Sequence, residues 1–533
     1  MRQFLSHFKH PKAGSSSPSH AAPPTVSNTN LSTSFYEEQE IFRFRKQRGV
    51  NLGSWFVLER WIADGPFRSA AQPAQSDLDV ARGSNAKAIL EEHWNNWITE
   101  ADWAWLKERG FNAVRIPIGY YHLAGLDPSL LDGTDFNGLA DVFMNAWAKI
   151  KEAFELAYKY RIGVLIDLHA APGKQNSDSH SGTSNPPSFF SSKHNTHLAT
   201  QILTTLLTNL NHFLHTHHPP LPNLIGLELL NEPHPPSDTV LQSWYATTIN
   251  KLRSVDATIP LYLGECWRLD SYSDWLITSN PGKSGLIGLD HHLYRCFTSD
   301  DINTPAQTHT RALDPETDGQ TSHEFASISE KLGRVPSGAG FIIGEWSGAL
   351  NPGSLRQSTS GGWEETKQFI AAQLRLYDKT CAGWFFWTFK KQHPGDSGWS
   401  LRDAVGAGTF PDRIGLRLTS TSGIDILPDE VSKAKSDAKA VASENHRKWW
   451  SQHAGKYEHW RFDDGYDKGW DAALKFLTFN LNGRDSLTEL GFTRAWARWQ
   501  TKEHGGNYWE YEHGFVQAVS EARGFFSRRY GFN

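Results

Sequence analysis

The hydrophobic positions of this chain fall into eight short, nearly continuous apolar runs. They lie at residues 49–55, 112–118, 163–169, 224–231, 260–264, 286–294, 340–346 and 383–389. Runs of this length predict strands that are buried on both faces of a parallel sheet. Apolar residues recur at helical spacing between them, in stretches such as 95–109, 140–160, 198–215, 241–254 and 364–378. Alternation of strand and helix through residues 41–426 predicts an α/β fold, a (β/α)8 TIM barrel.

The two ends of the chain follow other patterns. Residues 1–40 are polar and rich in Ser and Pro, and we predict a disordered tail there. Residues 427–533 have helical spacing and hold seven Trp, which predicts a helical, Trp-rich C-terminal extension. Its rings are expected to fill a bundle core or to pack on the barrel. An exposed carbohydrate-binding surface is the alternative.

Composition narrows the class of protein. The net charge of −5 gives no reason to expect a nucleic-acid partner, and no apolar run reaches the length of a membrane span. Aromatic residues make up 13% of the chain, which favours a carbohydrate ligand because rings stack on sugar faces. We expect a monomer. The absence of a secretory signal pattern predicts a cytoplasmic protein, with a mitochondrial location as the alternative because the first acidic residue is Glu37.

Two strand-end glutamates carry the predicted chemistry. Glu232 and Glu345 each end an apolar run, and two such carboxylates can flank a glycosidic bond, one as acid/base and one as nucleophile. Other polar or aromatic residues share the position at or near a strand's C-terminal end, namely Arg115, His169, Asn231, His292, Tyr294 and Trp387. In a TIM barrel such ends meet at one pocket. Arg115 interrupts an apolar strand, so it needs a carboxylate partner, and we assign it to orienting Glu345.

The sequence contains no motif that indicates a metal or a cofactor. The chain has no phosphate-binding glycine loop and no zinc motif, and its three cysteines lack metal-ligand spacing. A run of histidines at 215–218 has no acidic or Cys neighbour to complete a metal site. We therefore predict no metal and no cofactor.

Several motifs in order resemble glycoside hydrolase family 5, in particular its fungal exo-β-1,3-glucanase branch. The resembling segments are Arg48 to Glu59, Asn112 to Tyr120, Ile166 to Gly173, Asn231-Glu232-Pro233, Asp290 to Tyr294, Gly344 to Ser347 and Gly383 to Trp387. The resemblance implies a retaining double displacement, with Glu232 as acid/base and Glu345 as nucleophile. It also implies that Glu59 holds the terminal glucose and that Phe297 clamps the next sugar.

The predicted function is a retaining β-glucoside hydrolase, specifically an exo-β-1,3-glucosidase that releases glucose from the non-reducing ends of β-1,3-glucans. One alternative keeps the chemistry and changes the substrate: an intracellular β-glucosidase or transglycosylase acting on glycolipid, steryl or phenolic β-glucosides. An endo-acting β-glucanase is a further alternative, which would need an open groove. A carbohydrate-binding scaffold on a silent barrel is the non-enzyme alternative.

Overall fold

Eight parallel strands close into a barrel. The structure, a computed structural model, describes residues 33–282, 285–417, 426–479, 486–501, 505 and 507–531. The strands are β1 (Gln47–Asn51), β2 (Ala113–Gly119), β3 (Gly163–Ala170), β4 (Leu224–Glu228), β5 (Leu261–Gly264), β6 (Ile287–Leu293), β7 (Ala339–Trp346) and β8 (Gly383–Phe386). Each pairs with the next in chain order, and β8 pairs with β1. The predicted (β/α)8 barrel is confirmed.

Helices surround the barrel and continue beyond it. In chain order they are α1 (Thr33–Phe44), α2 (Asp77–Ala81), α3 (Ala86–Trp97), α4 (Glu100–Glu108), α5 (Ala140–Phe143), α6 (Ala146–Lys159), α7 (Lys193–Thr216), α8 (Asp238–Arg253), α9 (Leu269–Ser279), α10 (Ser299–Asn303), α11 (Ala306–Leu313), α12 (Gln320–Leu332), α13 (Trp363–Thr380), α14 (Leu401–Ala407), α15 (Pro428–Trp450), α16 (His459–Leu477), α17 (Thr493–Gln500) and α18 (Tyr508–Tyr530). None of the helices in the described residues is long and apolar enough to cross a membrane.

Some predicted boundaries are wrong. The strands predicted to extend to residues 55, 231 and 389 end at Asn51, Glu228 and Phe386. Their last apolar residues instead belong to turns that lead into the site. The helix predicted at 95–109 is two helices, because Ile98 and Thr99 have extended backbones and Thr99 caps the second one. The stretch 140–160 is likewise divided between α5 and α6.

The N-terminal prediction is wrong for residues 33–40, which belong to helix α1. Phe42 of this helix is fully buried, and Arg43 donates from Nε to the backbone oxygen of Leu224 at 3.4 Å. The helix therefore joins the core instead of forming part of a tail. Residues 1–32 lie outside the described residues.

The C-terminal region covers the N-terminal ends of the barrel strands. Phe492 and Trp496 are buried in one apolar cluster with barrel residues such as Phe385 and Tyr262. The backbone N–H of Lys46, just before β1, donates to the backbone oxygen of Glu489 at 2.7 Å. Because active sites of such barrels lie at the opposite ends of the strands, this region packs away from the predicted site.

The seven Trp of this region divide between core and surface. Trp470 and Trp496 are buried, which agrees with the expected bundle core. Four others keep large exposed fractions, namely Trp449, Trp460, Trp499 and Trp509. The prediction of a core role therefore holds for only part of the set, and the exposed rings leave the alternative of a binding surface open.

Helices α16 and α18 pack closely through small residues. A Cβ at Gly465 or Gly469 would overlap the backbone oxygen of Tyr511 or Phe515, and one at Gly514 would overlap that of Phe462. The three glycines thus let the two backbones approach each other.

Candidate active site

The residues singled out from the sequence converge at the C-terminal ends of the strands. Arg115 lies in β2, His169 in β3, His292 in β6 and Glu345 in β7; Asn231 and Glu232 follow β4, Tyr294 follows β6, Trp387 follows β8, and Glu59 and Phe297 lie in the connections after β1 and β6. Eight of these ten line one cavity of about 1030 Å³. The other two, Arg115 and Asn231, are fully buried and bond to the residues that line it.

Arg115 connects the carboxylates beneath the cavity. Its Nε donates to Glu228 Oε2 at 2.6 Å, its Nη1 to Glu345 Oε1 at 2.9 Å, and its Nη2 to Asn231 Oδ1 at 2.8 Å. Asp167 Oδ2 lies 3.1 Å from Nη2. The guanidinium therefore holds Glu345 and Asn231 in fixed positions, and it supplies the positive charge that buried carboxylates require.

Glu232 and Glu345 face each other. One carboxylate oxygen of each, together with one nitrogen of His292, lie within 4.8 Å of one another. Glu345 also accepts a hydrogen bond at Oε2 from the Tyr294 hydroxyl at 2.8 Å. Glu232 has a φ of 40°, in the left-handed region that a glutamate rarely adopts, and such strain concentrates at functional sites.

His292 bridges the two glutamates. Its Nδ1 lies 2.8 Å from Glu232 Oε1 and 3.5 Å from Glu345 Oε2, and Asp290 lies on the side of Nε2. Burial lowers the pKa of His292, but the surrounding carboxylates outweigh burial and raise this pKa well above its usual value. The imidazole is therefore protonated at neutral pH.

The charge of His292 affects the pKa values of the two glutamates to different degrees. Burial raises the pKa of Glu232, but the hydrogen bond and charge of His292 outweigh it and lower the pKa to about 2. Burial outweighs the opposing charges of His292 and Arg115 and raises the pKa of Glu345. The hydrogen bonds that Glu345 accepts from Arg115 and Tyr294 favour its charged form and so act against burial. His292 carries its proton one hydrogen bond from Glu232.

His169 is held neutral and fixed in orientation. Its Nδ1 lies 2.6 Å from Asp167 Oδ2, and its ring stacks parallel to that of Trp387 with 5.8 Å between the ring centres. Burial, with the charge of Arg115 adding to it, lowers the pKa of His169 to about 3. The ring can therefore accept a hydrogen bond at Nε2, where the Asn231 amide lies 3.5 Å away.

Glu59 is a third carboxyl group in the cavity. Its Oε2 accepts a hydrogen bond from Trp61 Nε1 at 2.7 Å. Burial is the largest influence on its pKa, the Trp61 bond opposes it, and the charges of Glu345 and Glu232 add to it; together they raise the pKa to about 8. Glu59 can thus donate as well as accept a hydrogen bond at neutral pH.

Aromatic rings form the mouth of the cavity. Phe297 is 66% exposed, and its ring lies 5.5 Å from that of Tyr294 and 5.8 Å from that of Trp399. Trp61 and Trp267 also line the cavity and are exposed. The connections after β3 and β6 contribute further lining residues, namely Asp178, His180, Thr298, Asp301, Thr321, Glu324 and Phe325. The long connections wall the cavity, as their length suggests.

Sequence reasoning missed several members of the site. Glu228, Asp167 and Asp290 are buried in the barrel beneath the cavity. A signal was present for two of them, because Asp167 stands two residues before His169 and Asp290 two before His292, which places each pair on one face of a strand. Trp61, Trp267 and Trp399 lie in connections, where no periodicity marks the side that faces a pocket.

Carboxylates and imidazoles in the site lie close enough together to share a cation. The groups are Asp178–His180–Glu232, Glu228–Asp290–His292 and Glu232–His292–Glu345. Arg115 already forms ion pairs with Glu228 and Glu345, so a guanidinium rather than a metal ion balances the negative charge of those two residues.

A barrel that presents two facing carboxyl groups, with one oxygen of each within 4.8 Å of the other, defines a class of enzyme, the retaining glycoside hydrolases. Their carboxyl groups lie about 5–5.5 Å apart, whereas inverting enzymes leave about 6.5–9.5 Å for a water molecule.

Sequence comparison identifies the family. The family model for cellulase (glycosyl hydrolase family 5) matches residues 79–393, and that for the glucan 1,3-beta-glucosidase 3 C-terminal domain matches residues 431–526. The chain therefore belongs to glycoside hydrolase family 5.

Two relatives agree with this assignment, and one solved structure shares the fold. Glucan 1,3-beta-glucosidase 3 of Schizosaccharomyces pombe is 30% identical over 499 residues, covering 90% of this chain and 96% of the relative. Probable glucan 1,3-beta-glucosidase A of Aspergillus fumigatus is 30% identical over 392 residues, covering 68% and 87%. The crystal structure of rutinosidase from Aspergillus niger superposes with a TM-score of 0.53 at 19% identity, covering 69% and 98%, which shows the shared fold.

Proposed function

We propose that this protein is an exo-acting, retaining β-1,3-glucosidase that releases glucose from the non-reducing ends of β-1,3-glucans. The observation that carries the proposal is the pair Glu232 and Glu345, which face each other across one cavity within 4.8 Å. The names of the relatives from Schizosaccharomyces pombe and Aspergillus fumigatus support the choice of substrate.

Glu345 is the nucleophile in this proposal. Arg115 and Tyr294 hold its two oxygens through hydrogen bonds of 2.9 and 2.8 Å, so the carboxylate is oriented before substrate arrives. Attack on the anomeric carbon forms a covalent glycosyl-enzyme and breaks the bond to the leaving oxygen. Tyr294 and Arg115 then hold the Glu345 side chain, now an ester with the sugar, in place for the second step.

Glu232 is the acid/base in this proposal. It needs a proton to give to the leaving oxygen, and His292 holds one 2.8 Å away. A bound sugar removes water from Glu232, whose side chain keeps 16% of its exposure, and desolvation favours the neutral carboxyl form. The proton then moves from His292 to Glu232 and on to the leaving group. In the second step Glu232 takes a proton from the attacking water.

Glu59 supports cleavage at the chain end. With its pKa raised to about 8 it can donate and accept hydrogen bonds with the hydroxyls of a terminal glucose. Asn231, fixed by Arg115, and His169 are proposed to contact the same sugar. Phe297 and Trp399 at the mouth offer ring faces to the next one.

A test of the proposal measures glucose released from laminari-oligosaccharides by the native chain, Glu345→Gln and Glu232→Gln. We expect Glu345→Gln to remove activity and Glu232→Gln to lower it by about 10²–10⁴-fold. An aryl β-glucoside with a good leaving group needs little proton donation, so the Glu232→Gln loss on that substrate should be much smaller. Exposed Glu330→Gln is the control.

The stereochemistry of the first product gives an independent check. Proton NMR recorded early in the reaction should show β-glucose, because two displacements retain the configuration. Early α-glucose would contradict the assignment of Glu345 as nucleophile. Release of oligosaccharides instead of single glucose units would contradict exo-action.

A second candidate substrate is a β-glucoside with a bulky aromatic or apolar group. The observation that favours it is the mouth, where Phe297, Trp61 and Trp267 are all large and exposed. Comparing Phe297→Ala with the native chain distinguishes the two candidate substrates. A drop in kcat/KM confined to aryl glucosides would favour the second candidate, and an equal drop on laminaritriose would favour the glucan.

The monomeric state and the cytoplasmic location stay part of the proposal. Light scattering after gel filtration tests the first, and imaging of the tagged chain in fungal cells tests the second.

A further inference from the structure

A cluster of two histidines and one glutamate lies in the C-terminal helices, outside the catalytic cavity. His446 belongs to the last turns of α15, His459 begins α16, and Glu510 lies in the first turn of α18. Each helix thus contributes one side chain at one of its ends. Nothing in the proposed glucosidase mechanism uses these three residues.

The three side chains point to one place. Glu510 Oε2 lies 3.0 Å from His446 Nε2 and 3.0 Å from His459 Nδ1. One potential ligand atom from each residue falls within 4.8 Å of the other two. Glu510 Oε1 accepts the backbone N–H of Glu458 at 2.5 Å, which fixes the carboxyl group toward the imidazoles.

The carboxyl group of Glu510 is fully buried, and its charge has no basic partner of the usual kind. Its ion pairs among the described residues are with His446 and His459 alone, and neither Lys nor Arg contributes. The catalytic cavity differs, because Arg115 there lies against three carboxylates. A buried carboxylate requires a compensating cation.

We propose that His446, His459 and Glu510 bind a zinc ion that joins the ends of α15, α16 and α18. Two imidazole nitrogens and one carboxylate oxygen form a donor set that zinc accepts, with a water molecule or another ligand in the fourth position. The His459 side chain is 30% exposed, which gives the ion a route from solvent. The expected role is structural, because the site lies apart from every residue that lines the catalytic cavity.

Metal analysis of the full chain tests the site. The chain is purified without a histidine tag, stripped with a chelator, and titrated with Zn²⁺ against a chromophoric competitor. We expect about one bound zinc per chain, a higher unfolding temperature with zinc, and a visible Co²⁺ spectrum typical of four-coordinate nitrogen and oxygen ligands.

Two variants test the proposed ligands, and a third is the control. Glu510→Gln keeps the shape and the bond from Glu458, while His459→Ala removes a partly exposed ring at a helix end. Each should weaken zinc binding by more than about 100-fold, beyond the usual effect of losing an outer partner. His453→Ala removes an exposed histidine just after α15 and should still bind one zinc. Circular dichroism confirms that each variant is folded.

Two results would overturn the proposal. Native chain that takes up less than a tenth of an equivalent, with no zinc-dependent shift in unfolding, would show that the cluster is held by hydrogen bonds alone. Zinc that binds equally well to Glu510→Gln and His459→Ala would place the ion elsewhere. Neither result depends on glucosidase activity.

Discussion

At the scale of single residues, the site depends on how a few positive charges are shared among many carboxylates. Arg115 contacts Glu228, Glu345 and Asp167, while His292 contacts Glu232 and Glu345. The sequence identified both cations because each interrupts or ends an apolar strand. It paired Arg115 with Glu345, a contact that the structure contains. It did not assign Glu228 or Asp167, which come from other strands.

Replacing Arg115 with Met should destabilise the fold strongly. The side chain is fully buried, and its loss leaves several carboxylates buried without a cation. Removing one partner of such a network costs about 3–5 kcal/mol. Denaturant unfolding measures this loss. Arg334→Met is the control, since that arginine is 69% exposed and its pair with Glu330 contributes at most about 0.5 kcal/mol. Equal effects of the two changes would contradict a central role for Arg115.

Replacing His292 with Asn should move the alkaline limb of the kcat/KM profile to lower pH. In the native site the proton is held with the raised pKa of His292. In the variant the cation is missing, so the pKa of Glu232 rises from about 2 and Glu232 itself holds the proton. A carboxyl group loses its proton at a lower pH than His292 does in the native site. We expect a shift of at least about one pH unit, measured with an aryl β-glucoside.

His323→Asn serves as the control for this shift, because that side chain is 66% exposed. An unchanged alkaline limb in His292→Asn would show that another group holds the proton.

The raised pKa of His292 also makes the stability of the fold depend on pH. Because the folded pKa of His292 lies above its unfolded value, its stabilisation is complete below about pH 6.5 and is lost as pH rises through the folded pKa.

At the scale of elements, periodicity predicts whether a segment is a strand or a helix better than it predicts the segment's first and last residues. All eight strands exist where the apolar runs predicted them, but β1, β4 and β8 end early because the chain turns into the site. Helix α1 was missed because its partners, such as Leu224 and Thr258, are distant in sequence. The role of Gly465, Gly469 and Gly514 in the close packing of α16 and α18 could not be predicted from the sequence, because it depends on which helices meet.

Gly465→Ala should destabilise the C-terminal helices. The added Cβ would overlap the backbone of Tyr511, which cannot move as a side-chain end can. Overpacking of this kind costs about 1–3 kcal/mol. Gly524→Ala in α18 is the control, because its Cβ would meet only the end of the Arg528 side chain, and it should gain up to about 1 kcal/mol from helix propensity. Thermal unfolding compares them, and equal shifts would contradict the close approach.

At the scale of the whole molecule, the two ends of the barrel have separate tasks. The C-terminal ends of the strands carry the cavity, and the N-terminal ends are covered by α1 and the helices after α15. Of the residues in 427–533 that the structure describes, none lines the cavity. The C-terminal region therefore stabilises the barrel from the opposite side, and any ligand of its exposed Trp would bind far from the cleavage site.

Phe492→Ala should lower stability without changing catalysis. The ring is buried against Gly340, Tyr262 and Phe44 at the covered end of the barrel. Loss of a buried Phe side chain costs about 3–5 kcal/mol. We expect a lower unfolding midpoint, with kcat unchanged at temperatures well below it. Val441→Ala, at a position 61% exposed, should change neither. A fall in kcat of the folded Phe492→Ala variant would indicate coupling between the two ends.

The sequence alone determined the barrel and the helical C-terminal region, and it predicted Glu232 and Glu345 as the catalytic pair. These follow from local patterns, because strand and helix periodicity and the position of a charge at the end of an apolar run are read within a few residues. Only the tertiary structure decided which groups meet: Arg115 with three carboxylates, His292 between Glu232 and Glu345, and His446 with His459 and Glu510. Barrel closure and helix packing bring residues more than a hundred positions apart into contact, and burial there sets the protonation that a linear pattern does not contain.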